Sequence, residues 1–326
     1  MKKAAAYLFS LIALLTLMLP AFLVRSCRAP QQQENSASTL SVKLYDIQTR
    51  TLYRLPLEEY LIGVVAAEMP ANFHLEALKA QAVAARTFTV KRLKYFGGKG
   101  SKYHADADLS SDPGEGQAWL SEKELHAKWG LRYGSNLARV RQAINETAGI
   151  LLTYDGKPIE AIYHSTCGGV TESAVEVWGK DYPYLRSVTC GADGHSPKYR
   201  QTYRFTIQEA AAKLGVKSFQ GKAITASTQG SGIFKVVGQT NTGRAQKIYF
   251  AGKEISPEQF RTALNLNSAR IRYNISGNNL VITTIGYGHG VGLCQYGSDG
   301  LAQKGWSFTQ ILQHYYPKTA LVKITN

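Results

Sequence analysis

Glu68 is the residue in this sequence best placed to act as an acid. It stands in Ala66-Ala67-Glu68-Met69-Pro70, among apolar neighbours, at the carboxyl end of a helix that Pro70 must stop. Desolvation and the negative helix pole both disfavour an ionised carboxylate there. A carboxyl group kept protonated near neutral pH is what a general acid requires. A plain surface glutamate at a helix end is the alternative. Arg86 lies on the following Ala-rich helix. Close-packing helices of that kind would bring its guanidinium near, as a fork for an anionic group of a substrate. The alternative for Arg86 is a solvated charge on a helix face.

Two further stretches carry candidate chemistry. Gly286-Tyr287-Gly288-His289-Gly290-Val291-Gly292 follows a strand. It fails the dinucleotide G-x-G-x-x-G pattern in both frames, and no Lys-Ser/Thr follows for a phosphate loop. Its glycines suit a backbone that comes close to a ligand, with His289 pointing into the site, or else a tight turn. His164-Ser165-Thr166-Cys167-Gly168-Gly169 ends another strand in a glycine turn. A Cys/His nucleophile pair and a metal site from His164, Cys167, Cys190 and His195 are both conceivable, but the spacing matches no zinc pattern. In an exported domain a disulfide is the simpler fate for Cys167 and Cys190, with Cys294 left over.

The elements that must position these groups are short and mixed. Val42–Ile47 and Leu52–Leu55 alternate like strands. Pro56 opens a helix with Glu58 and Glu59 in its first turn, running to Glu68. A second helix spans Leu75 to about Arg92 and stops at Gly97-Gly98. Tyr103–Trp119 reads as an irregular acidic loop, and Arg139–Thr147 as a helix. Ile150–Tyr154 and Ile159–His164 form a hairpin around Asp155-Gly156. Strands are expected at Tyr203–Ile207, Ile233–Val237, Ala245–Phe250, Ile271–Ile275 and Leu280–Ile285. A short helix starts at Ser256-Pro257, a Gly-rich loop spans Gly286–Gly297, and Ser307 caps a last helix that stops at Pro317. Helices first and strands later predict an α+β fold.

The amino terminus decides the compartment. Lys2 and Lys3 precede an uncharged run from Ala4 to Val24, just long enough as a helix to cross ~30 Å of hydrocarbon. Phe22-Leu23-Val24-Arg25 offers no small-residue cleavage site, so an uncleaved single-span anchor is expected, with a cleaved signal peptide as the alternative. Residues 1–24 are then a short cytoplasmic tail and transmembrane anchor, 25–40 a polar tether, and 41–326 one exported mixed domain. The formal charge is +15, and +11 remains once Lys2, Lys3, Arg25 and Arg28 are set aside. Outside a membrane, that charge argues for anionic wall polymers or lipid headgroups and against nucleic acid. An apolar content of 44% with 19% charged residues excludes a disordered chain. Four Cys in 326 residues exclude a small disulfide scaffold. Nineteen Tyr against four Trp suit a surface that binds sugar.

Taken together, several segments resemble the stage II sporulation protein D family, in family order and over nearly the whole chain after residue 40. They are Val64–Pro70, Lys79–Thr87, the His164–Gly169 turn, Tyr184–Val188, Gly288–Gly292 with Gln295-Tyr296-Gly297, and Ile311–Pro317. The resemblance implies a lytic transglycosylase that cuts glycan between N-acetylmuramic acid and N-acetylglucosamine without water, leaving a 1,6-anhydro end. The implied substrate is peptidoglycan strands stripped of peptides. The implied partners are the amidase stage II sporulation protein P and the membrane scaffold stage II sporulation protein M, during engulfment, at the mother-cell membrane facing the septal wall. The family's acid falls on Glu68, and Arg86, His164, Ser165, His289 and Gln295 match positions that build its cleft. One carboxyl group suffices for that chemistry, unlike the two of common glycosidases. No cofactor is expected. Zinc-binding relatives carry a His and then a Cys-x4-His-Cys cluster before a Gln. Here the stretch reads His104, Ser110, Glu115, Gly116, Gln117, both thiols are gone, and no zinc is expected. The opposing class is a non-enzymatic wall scaffold that enhances a partner amidase.

Overall fold

Pro56 sits at the entrance of the first helix, Leu57–Glu68, where its missing N–H costs nothing. The helix ends because Met69, before Pro70, is extended at φ −129° and ψ 140°. The next helix, Leu75–Arg92, starts under a His74 side chain that accepts from the Glu76 N–H. It carries Ala at 77, 80, 82, 84 and 85, all buried. Small side chains all round let neighbours approach on every side, so this helix is the axis of the main core rather than a surface element. Against it pack the Tyr133–Glu146 helix, the strand Ile150–Tyr154, and the helices Gln295–Gln303 and Phe308–Tyr315.

The computed structural model describes residues 40–219, 221–225 and 232–324. The Ala4–Val24 run lies outside them. Among the described residues no helix is long and apolar enough to cross a membrane. From residue 40 onward the chain is one mixed α+β unit with two hydrophobic cores. The first surrounds the Ala-rich helix. The second lies within residues 207–282 and holds Phe234, Ile248, Phe250, Phe260 and Ile282 between two three-stranded sheets and two short helices.

Three pairings position the candidate site. Ser41–Asp46 pairs antiparallel with Thr51–Pro56 and parallel with Leu109–Ser110, which holds the 101–120 stretch beside the first helix. Ala320–Lys323 closes onto Ile150–Tyr154 in the register Ala320↔Thr153 to Lys323↔Ile150. Leu293–Cys294 lies parallel to Tyr163–His164, so the residues that follow these strands, Gln295 and Ser165, emerge side by side.

The expected hairpin after Asp155-Gly156 is shorter than its apolar pattern suggested. Only Lys157–Pro158 pairs back on Ile150–Tyr154. Pro158 has no N–H to extend the ladder, one more bond follows from Ile159 N–H to Leu152 O at 3.1 Å, and Tyr163–His164 then joins the separate parallel pair. The expected Gly286–Gly297 loop ends early too, because a helix begins at Gln295.

Candidate active site

Glu68 is half-buried on the floor of a cleft of about 540 Å³. One wall is the turn 69–72 that follows its own helix. Arg139 fastens this turn by donating to Ala71 O and Phe73 O at 3.0 and 2.7 Å. A second wall comes from the Glu122–Trp129 helix and its continuation, with Lys128, Trp129, Arg132 and Asn136. Opposite stand Ser165, Pro197, Lys198, Tyr287, Gln295 and Tyr296. Among the described residues that line the cleft, Glu68 is the single carboxylate, while Lys128, Arg132 and Lys198 are cationic and Trp129, Tyr287 and Tyr296 offer rings. That combination suits an anionic chain of sugars.

The protonation of Glu68 is set by competing effects. Burial is the largest and pushes the carboxyl above its usual range. It is opposed by the Ala118 N–H, which donates to Oε1 at 2.7 Å, by the Gln295 and Tyr163 side chains, and by the charge of Lys128. Burial wins, so the proton is held more tightly than on a free glutamate. Lys128 is aimed by the helix terminus itself: its Nζ donates to Ala66 O at 2.8 Å, one of the carbonyls left unpaired where Pro70 cuts the helix short. Burial lowers the Lys128 pKa, and the Glu68 charge works against that.

The supports of the site are themselves fixed. Tyr163 donates to Gln117 Oε1 at 2.9 Å, and Gln117 Nε2 donates to Thr89 at 2.9 Å on the Ala-rich helix. Gln295 Nε2 donates to Gln81 Oε1 on the same helix at 3.3 Å. Gly63 makes room for the loop above the acid, since a Cβ there would lie 2.3 Å from Trp119 Nε1.

The structure brings Glu68, Ser165 and Gln295 together and sends the other sequence candidates elsewhere. Arg86 is a correction. It is fully buried, and its Nε and Nη2 donate to the two Glu58 oxygens at 2.9 and 2.6 Å, with further bonds to Ile144 O and Ile150 O. The guanidinium is spent inside the core, because the Ala-rich helix around it is enclosed on every side. His164 is also buried, with Nδ1 donating to Val291 O at 3.1 Å; burial keeps its ring neutral, well below the usual histidine range. It locks the parallel strand pair and does not line the cleft. His289 faces a second cavity of about 430 Å³, beside Trp178, Arg244 and Arg261. Burial, then Arg244, push its pKa down to about 3. The glycines around it serve close packing: a Cβ on Gly288 would lie 3.1 Å from the His164 Cβ, and one on Gly292 only 2.0 Å from Ile162 O. Cys167, Cys190 and Cys294 are all free and buried, so the expected Cys167–Cys190 disulfide is absent. Their sulfurs converge as a group of three on Asp193 rather than as a pair.

Lys128 and Tyr163 went unread in the sequence. Ser121-x-x-Glu124 carries the capping-box signature that announces the Glu122–Trp129 helix, and both reciprocal bonds are present. Tyr163 adjoins His164 on a two-residue strand too short to have shown alternation.

The family model described as Stage II sporulation protein (SpoIID) matches residues 45–154, a span that holds Glu68, Ala118 and Lys128. Stage II sporulation protein D of Bacillus subtilis (strain 168) is 38% identical over 286 residues, covering 87% of this chain and 80% of that protein. The protein of the same name from Bacillus amyloliquefaciens is 39% identical over 283 residues, covering 86% of this chain and 78% of that protein. A Bacillus subtilis protein named amidase enhancer is 27% identical over 309 residues, covering 80% of this chain and 40% of its own length.

Proposed function

This chain belongs to the stage II sporulation protein D family, and from that premise we propose that it is a membrane-anchored peptidoglycan lytic transglycosylase. One observation carries the reading: a half-buried Glu68 with a raised pKa is the single carboxylate among the described residues lining a cleft of cations and aromatic rings. Glu68 gives its proton to the glycosidic oxygen between N-acetylmuramic acid and N-acetylglucosamine. As the bond to the leaving sugar breaks, positive charge develops at the anomeric carbon. The 6-hydroxyl of the same muramic acid closes on that carbon, and the Glu68 carboxylate takes the hydroxyl proton. The carboxyl group ends as it began, no water is consumed, and no second carboxylate is needed. Strands stripped of peptide expose a lactyl carboxylate on each muramic acid. Lys128, Arg132 and Lys198 are the cations available to it.

In the same proposal the Ala4–Val24 run anchors the chain in the mother-cell membrane with residues 41–326 exported. Stage II sporulation protein P then supplies denuded strands and stage II sporulation protein M holds the assembly in place. The test is mass analysis of purified denuded glycan after incubation with the full chain. Anhydro ends support the lyase, and reducing ends make the enzyme a hydrolase. The amidase enhancer relative motivates the second reading, a scaffold that acts through a partner. That reading requires no glycan product from the chain alone and a faster amidase when the chain is added.

The pH profile offers a separate check. Activity requires protonated Glu68, so it falls as pH rises through the Glu68 pKa. The Lys128 charge favours the carboxylate and therefore lowers that pKa. Lys128→Met should raise it and move the alkaline limb of the pH–rate profile to higher pH, whatever happens to the maximum rate. An unmoved limb, or a shift to lower pH, would remove Lys128 from control of the acid.

A further inference from the structure

Behind the cleft, three thiols and a carboxylate from separate stretches of chain meet at one point. Cys167 opens the glycine turn after Tyr163–His164, Cys190 and Asp193 lie in the loop before the Arg200–Thr206 strand, and Cys294 ends the Leu293–Cys294 strand. All four are buried, and their sulfur and carboxylate oxygen atoms lie within 4.8 Å of one another. Asp193 Oδ2 is 3.2 Å from Cys167 Sγ and 3.9 Å from Cys294 Sγ.

Mere filling of a core does not account for this group. An aspartate that is 1% exposed is a poor choice among apolar neighbours. A disulfide would join two of the sulfurs and leave the third beside the carboxylate without a counter-charge. The surroundings instead aim backbone donors at two of the four groups, Cys294 and Asp193, while the Cys167 and Cys294 sulfurs themselves face Asp193 Oδ2. The N–H groups of Cys167 and Gly297 both donate to Cys294 Sγ, at 3.3 and 3.2 Å. Those of Gly168 and Gly169 donate to the two Asp193 oxygens at 2.7 and 3.1 Å. The Tyr315 hydroxyl lies 3.1 Å from Cys190 Sγ. Gly297 keeps the space open, since a Cβ there would come within 2.3 Å of Cys190 Sγ. Donors of this kind orient and stabilise the ligands of metal sites.

We propose that Cys167, Cys190, Asp193 and Cys294 form a closed, structural site for a thiophilic divalent cation of the zinc class. With metal–sulfur bonds of about 2.3 Å, ligand atoms at the corners of a tetrahedron lie roughly 3.8 Å apart, so the cluster needs to contract by about 1 Å at its widest. Three thiol protons leave to solvent as the cation binds, and the site then carries the same net charge as a four-cysteine site. All four positions come from the protein, so the cation has no open place for substrate. Its work is to tie together the two segments that present Ser165 and Gln295. Cys167 lies two residues after the first, and Cys294 immediately before the second. The site uses none of the His104–Gln117 residues on which the expectation of no zinc was based.

The full chain, purified without chelator under reducing conditions, should contain about one zinc per molecule by elemental analysis. After the metal is exchanged for cobalt(II), it should show thiolate-to-cobalt charge transfer and the intense visible bands of a tetrahedral site. A chelator should lower the melting temperature of the wild type, while Cys294→Ser, whose hydroxyl can still accept the Gly297 N–H, should lack stoichiometric metal and be indifferent to the chelator. Should that variant fail to fold, the zinc content and cobalt spectrum of the wild type decide alone. A metal-free chain that takes up neither zinc nor cobalt overturns the proposal, whether it has three reactive thiols or a disulfide detected by mass. So does zinc that survives unchanged in Cys294→Ser.

Discussion

Glu68→Gln should abolish glycan cleavage while leaving glycan binding and the fold intact. The amide keeps the shape of the side chain, and its oxygen can still accept the Ala118 N–H that Glu68 Oε1 accepts at 2.7 Å. Only the proton is lost. In the proposed mechanism one group serves both as the acid that frees the leaving sugar and as the base that accepts the 6-hydroxyl proton. The fall in rate should therefore exceed the ~10²–10⁴-fold typical of a single acid–base step. Stability should not suffer, because the burial that raises the carboxyl pKa is a cost that a neutral amide avoids. The measurement is anhydro-end formation by the variant, with binding to denuded strands and the unfolding midpoint as controls. Cleavage near the wild-type rate would take Glu68 out of the mechanism.

Arg86→Ala should act on stability and not on substrate choice. The wild-type guanidinium is enclosed, with a two-pronged ion pair to Glu58 and bonds to two backbone carbonyls. Removing one partner of such a pair strands the other, at a cost of about 3–5 kcal/mol. Glu58 retains 32% exposure of its side chain, so water can reach it and the low end of that range is expected. Arg86→Lys should lose part of the same stability, since a point charge cannot satisfy both carboxylate oxygens and both carbonyls. In urea the midpoint should drop with an unchanged slope, and activity on any substrate should fall only with the folded fraction. Wild-type stability combined with a selective loss on denuded strands would return Arg86 to a substrate-binding role.

The misreading of Arg86 shows where sequence patterns stop. The alanines of Leu75–Arg92 announced a helix, and its bounds agree with that reading. What they also meant was burial on every side, and a cation in such a helix needs a partner inside the core. Its partner, Glu58, is 28 residues away and was read only as a first-turn acid. Punctuation by Pro56, Pro70, Ser256-Pro257 and Ser307 located helix ends because these residues act locally, through φ, a missing N–H or a cap. The Gln295–Gln303 helix escaped notice because Gly297 and Gly300 argue against helix by propensity. Both are there for contact: a Cβ at Gly300 would lie 2.0 Å from Ala192 O. Glu68 was legible as a candidate acid for a local reason, its place among apolar residues at a helix end. The cations and rings around it were not, because they arrive from distant segments and only the tertiary fold gathers them. The same holds for the thiols, whose spacing matched no metal pattern although their sulfurs meet.

The last strand, Ala320–Lys323, pairs with Ile150–Tyr154, laid down about half a chain earlier. A polypeptide leaves the ribosome amino terminus first. Throughout that passage Ile150–Tyr154 lacks its neighbour on one edge, and the main core is missing two of the helices that enclose it. The wall that carries Gln295 and Tyr296 arrives nearly as late. Residues 200–285, contiguous and with a core of their own, face no such delay, whereas pairings between distant segments form slowly even in a complete chain. Glu68 emerges early but has no cleft around it until almost the whole chain has followed, so the candidate site does not exist until synthesis is nearly complete.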